Sequence, residues 1–95
     1  MRRNKKETHE MIIRQGNLGE DDIVAFDLEI SCNRGFIWCI DKNGGSEACL
    51  DYFHNTTKPD EAEAESFIRT LENNYDISIN RKYRLSRKKL NSIWS

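Results

Sequence analysis

"DIVAFDLEISCNRGFIWCIDKNGGSEACLDYF", residues 22–53, is the stretch whose reading decides the fold. Val24, Phe26, Leu28, Ile30 and Cys32 alternate with Ala25, Asp27, Glu29 and Ser31. Successive side chains of a strand leave on opposite faces, so this period of two predicts a strand over 22–32 with one face buried. After Asn33-Arg34-Gly35, Phe36, Trp38 and Ile40 alternate with Ile37, Cys39 and Asp41. After Lys42-Asn43-Gly44-Gly45-Ser46, Ala48, Leu50 and Tyr52 alternate with Glu47, Cys49, Asp51 and Phe53. Three strands joined by two short glycine-bearing turns predict an antiparallel meander.

Directly opposed residues of an antiparallel pair share a face. With Gly35 as the left-handed residue closing a turn over 33–35, Ile30 faces Trp38 and Leu28 faces Ile40. A loop over 42–46 sets Trp38 against Leu50 and Phe36 against Tyr52. This register gathers the large apolar side chains on one face; a one-residue slip would scatter them. The other face then carries Asp27, Asp41 and Glu47 in one row and Glu29, Cys39 and Cys49 in the next. Ile23, Ile37 and Phe53 leave some apolar surface there, which suits a dimer or a partner.

A cover for the first face follows. "TTKPDEAEAESFIRTLENN" predicts a helix from about residue 58 to 73, with Thr57 and Asp60 as a capping box and Ala64, Phe67, Ile68 and Leu71 as its apolar stripe. "YDISIN" predicts a short strand through Tyr75, Ile77 and Ile79. Ser86 is placed to N-cap a terminal helix whose Leu90, Ile93 and Trp94 face inward. Met11, Ile12 and Ile13 are too short a run to arbitrate helix from strand by period; a strand over 10–15 is preferred. The expected fold class is α+β. A three- to four-stranded antiparallel meander is covered on one face by a helix, with a short C-terminal helix; residues 1–8 form a flexible basic tail and 9–95 one domain.

Charge is segregated. The chain has a net charge of only −1, yet Arg2, Arg3, Lys5 and Lys6 crowd one end. Arg81, Lys82, Arg84, Arg87, Lys88 and Lys89 crowd the other. Between them five cations stand against all 16 acids, a balance of −11. Such asymmetry bears on partners more than on fold.

The chemistry-bearing motifs are few. There is no P-loop, no G-x-G-x-x-G and no G-x-S-x-G. "KNGGS" is a hairpin loop and opens no helix that would cradle a phosphate. Three irregularly spaced cysteines make no even disulfide framework and suit a reducing cytoplasm. The basic start is followed by no apolar run of a secretory signal, and no run reaches the ~20 residues of a membrane span. His54 and Cys49 fall on opposite faces by parity and make no catalytic pair. The acidic rows of the second face, with their thiols, read first as solvated surface and only then as a metal or enzyme site. No cofactor, no metal and no catalytic residue is expected.

The expected function is therefore a small non-enzymatic interaction or regulatory domain. It would bind a protein partner or a second copy of itself, and no membrane. Nucleic-acid binding through the basic ends is the alternative. Arg81, Lys82, Arg84, Arg87, Lys88 and Lys89, with Tyr83 and Trp94 nearby, suit phosphate contacts with aromatic interleaving. The competing expectation docks these cations on Asp60, Glu61, Glu63 and Glu65, or leaves them simply solvated.

Overall fold

The computed structural model describes residues 7–19 and 21–94. Among these residues five strands form one sheet: β1 (Glu7–Gln15), β2 (Ile23–Asp27), β3 (Phe36–Asp41), β4 (Gly44–Cys49) and β5 (Ile77–Lys82). The described residues also form three helices: α1 (Leu50–Asn55) and α2 (Glu61–Tyr75) between β4 and β5, and α3 (Arg87–Ile93) after β5. The spatial order is β4-β3-β2-β1-β5. Three of its pairings are antiparallel, and β1 runs parallel to β5, Glu7 opposite Ile77 and Ile12 opposite Lys82. The class is α+β, and the sheet is larger than the expected meander. Residues 10–15 are strand. Glu7 and Thr8 already belong to it, so of the expected 1–8 tail only residues 1–6 lie outside the described residues.

The strands pair in a register other than the expected one. Ala25 faces Ile40 and Asp27 faces Trp38, rather than Leu28 facing Ile40 and Ile30 facing Trp38. In the next hairpin Trp38 faces Glu47 and Ile37 faces Ala48, around a two-residue turn at Lys42-Asn43, with Gly44 at φ +116°. Each shift is odd, so the faces interchange. Trp38 and Leu50 consequently lie on opposite sides of the sheet.

The physical reason is that both faces are covered. On one, Met11, Ile13, Ala25 and Ile40 pack with Ala64, Ile68 and Leu71 of α2. On the other, Ile12, Val24, Phe26 and Ile37 pack with Leu50 and Phe53 of α1 and Ile93 of α3. Phe26 is completely buried, its ring edge-on to Phe53 at 4.9 Å. A sheet covered twice has no solvent face, so the apolar surface expected at Ile37 and Phe53 is core. Leu50–Phe53 is helix and not strand because a spacing of three lets both side chains reach that core.

Local chemistry fixes the ends. Lys58 precedes Pro59 and is pushed to extended backbone, so α2 starts at Glu61 rather than near 58, and Asp60 caps it by accepting from Glu63 N at 3.1 Å. Asp76, left-handed at φ +54°, ends α2 and turns the chain into β5. That places Arg81 and Lys82 inside a strand. Ser86 caps α3 as expected, accepting from Lys89 N. Trp94 is half exposed and lies over Gly35, where a Cβ would come within 2.8 Å of its ring.

Candidate functional site

The six C-terminal cations do not act alike. Arg81 is spent internally: Nη1 donates to Glu61 Oε1 at 2.8 Å and Nη2 to Glu61 Oε2 at 3.1 Å. Glu65 stands 3.5 Å from Nη1, and the guanidinium lies 4.6 Å from the centre of the Tyr83 ring. The side chain is only 9% exposed. Burial alone would lower its pKa, but the Glu61 bond and the neighbouring charges outweigh that and hold it above the ordinary arginine value. The same contact holds the Glu61 carboxyl below its usual range. Docking on the acidic helix is thus the arrangement of Arg81.

Four others converge. Lys82, Arg84, Lys88 and Lys89 line one open groove of about 660 Å³ where the β5–α3 turn meets β1 and the segment after β2. The groove forms because Lys82 shares a sheet face with Glu10 and Ile12, and because α3 folds back over that face through Ile93. Lys89 Nζ donates to the Leu28 carbonyl at 2.6 Å, which ties the start of α3 to the end of β2. Lys82 Nζ is 3.9 Å from Glu10 Oε2, a loose contact between half-exposed groups. Glu10 and Glu29 also face the groove. Arg84, Arg87 and Lys88 are exposed and form no ion pair with another described residue. Arg87 lies outside the groove wall. Tyr83, under the Arg81 guanidinium, is 66% exposed.

The acidic and thiol rows expected on the second face do not form. Asp27 faces Trp38, and Glu47 lies across Trp38 from it; Cys39 faces Ser46, with Sγ 3.7 Å from the hydroxyl. Cys39 is buried and Cys49 is exposed at the start of α1, so they are not neighbours across the strands. Burial pushes the Cys39 and Cys32 thiols above their ordinary pKa, the opposite of an activated nucleophile. Among the described residues no three His, Cys, Asp or Glu side chains gather to hold a metal ion. His54 is an exposed residue of α1, edge-on to Phe53.

One constellation was not legible in the sequence. His9 Nδ1 lies 2.8 Å from Asp27 Oδ2 and Nε2 lies 3.1 Å from Glu7 Oε1. Asp27 is 2% exposed and also accepts from the Glu29 N–H. Burial alone would lower the His9 pKa, but the bonds to Glu7 and Asp27 and their charges raise it above 6.5. Both ring nitrogens face carboxylates. The arrangement favours an imidazolium and leaves no free ring nitrogen to take a substrate proton. Only the β1–β2 pairing brings these residues together, and the expected one-sided meander hid it.

The chain matches no family model, no curated protein and no solved structure. Among the described residues no helix is long and apolar enough to cross a membrane.

Proposed function

We propose that the chain is a small non-enzymatic interaction domain of the cytoplasm that receives an acidic segment of a partner protein in the basic groove. The observation that carries this reading is the groove's mixed sign: Lys82, Arg84, Lys88 and Lys89 stand with Glu10 and Glu29. A polyphosphate offers nothing to two carboxylates, whereas a protein segment carries donors as well as acceptors. Rim charges of this kind steer encounter and set specificity more than they set affinity. A second reading, nucleic-acid binding, is favoured by Tyr83, an exposed aromatic ring among Arg81, Lys82 and Arg84 that is suited to stacking a base.

Fluorescence anisotropy separates the two, using a labelled Asp/Glu-rich peptide and labelled single- and double-stranded oligonucleotides at low and physiological salt. The expected result is peptide binding that persists at physiological salt and is lost in Arg84→Glu/Lys88→Glu, with negligible oligonucleotide binding. Tighter oligonucleotide binding, with a log–log salt slope of roughly −0.7 to −0.9 per phosphate, would reverse the order of the two readings.

A further inference from the structure

A second concavity adjoins the basic groove. About 320 Å³ in volume, it lies between α1 and the β5–α3 turn and has Arg84 in common with that groove. Its chemistry differs. Phe53, Leu85 and Leu90 give it an apolar lining, with Tyr83 and His54 at its side and no carboxylate among the described residues of its wall. Leu85 and Leu90 are half-buried and rest on the core of this sheet face.

One wall is held in place. Arg14 Nε donates to Thr56 Oγ1 at 3.1 Å and Nη2 to the Thr56 carbonyl at 2.7 Å, while the Thr56 hydroxyl donates to the Phe53 carbonyl at 2.6 Å. Thr56 is buried, so Arg14 and Phe53 are fixed to one another through it. Arg14 and Arg84 thus bring positive charge to a cavity whose lining is otherwise largely apolar.

We infer that the partner's acidic segment carries an apolar anchor side chain, aromatic or branched aliphatic, that seats in this second concavity while acidic residues on either side face Arg14, Arg84 and the basic groove. The inference rests on the proposed reading of that groove and names its ligand more closely. Charge complementarity selects the occupant. Cations flank a largely apolar cavity with no carboxylate among the described residues of its wall, which matches a hydrophobic residue set between acidic ones. Anchors seated in preformed pockets supply most of the affinity of such contacts, and the surrounding charges supply the register.

The test is anisotropy at physiological salt with three labelled peptides: an acidic peptide with one central Phe, the same peptide with Ser in that place, and a neutral peptide with the Phe. Burying a Phe ring is expected to tighten binding about tenfold or more over the Ser peptide. Leu90→Ala, checked for fold by circular dichroism, should remove most of that gain and leave the Ser peptide's binding within about twofold. Independently of any variant, amide shifts in the wild-type chain should move at residues 53–54 and 83–85 with the Phe peptide and not with the Ser peptide. Equal binding of Phe and Ser peptides overturns the anchor and leaves the basic groove standing. Phe-peptide shifts confined to other residues overturn it likewise. If neither acidic peptide binds, the groove reading fails and the anchor with it.

Discussion

Replacing His9 by Gln tests the buried Asp27 contact, and its effect is predicted to depend on pH with a definite sign. His9 is 15% exposed and Asp27 2%, with 2.8 Å between Nδ1 and Oδ2, so this is a charge-assisted bond shielded from water. Such a bond contributes about 1.5–3 kcal/mol. The Glu7 contact adds little, because that carboxylate is 82% exposed. The folded-state pKa of His9 is raised above 6.5, so the folded chain holds this proton to higher pH than the unfolded chain does. The bond's contribution is therefore complete below 6.5 and is lost as pH rises through the raised value. Urea unfolding of wild type, His9→Gln and Asp27→Asn between about pH 6 and 7.5 measures this below the range where the thiols titrate. Wild-type stability should fall across the window. His9→Gln should be about 1.5–3 kcal/mol less stable at the acid end and nearly flat. Asp27→Asn should lose most of the slope as well. Parallel curves for wild type and His9→Gln would refute the argument, even if both variants were destabilised.

Phe26→Ala removes a fully buried ring between Tyr52 and Phe53 and should cost about 3–5 kcal/mol in the same assay; a loss below about 1 kcal/mol would place the core elsewhere. Gly35→Ala puts a Cβ 2.8 Å from the Trp94 ring at a residue with φ +82°, so it should destabilise by more than about 1 kcal/mol and alter tryptophan emission. Gly44→Ala is strained in backbone alone, at φ +116° in open space, whereas Gly45→Ala meets the Trp38 ring at 2.6 Å. Near-ultraviolet circular dichroism should therefore show a changed tryptophan band for Gly45→Ala and a wild-type one for Gly44→Ala.

Elements were more legible than their pairing. The α2 stripe of Ala64, Ile68 and Leu71 and the Ser86 cap follow directly from helical spacing and side-chain hydrogen bonding, and both stand in the structure. The strand cores of 23–27 and 36–41 are equally local. Register failed because it was inferred by sorting large from small side chains, a criterion that holds only when one face is wet. Here Ala25 and Ile40 are core on one side as fully as Phe26 and Ile37 are on the other. Coverage of the second face is a tertiary event: α1 and α3 must fold back before Ile37 has anything to touch. The basic site was half legible. The six cations were visible, yet only β5 pairing decides that Arg81 turns to Glu61 while Lys82, on the opposite face, joins Arg84, Lys88 and Lys89.

Because Glu7 pairs with Ile77 and Ile12 with Lys82, β1 is an interior strand only once the far end of the chain has arrived. During synthesis the four-stranded β4-β3-β2-β1 portion emerges first, with the Glu7–Ile12 edge of β1 open and its backbone donors and acceptors unpaired. Closing so distant a contact is slow relative to the hairpins, whose partners are near neighbours in sequence. An open strand edge ending in Met11 and Ile12 is a template for other chains. The interval between emergence of β4 and docking of β5 is then the period of greatest exposure to aggregation, and a nascent chain halted before Ile77 should be the species that chaperones engage.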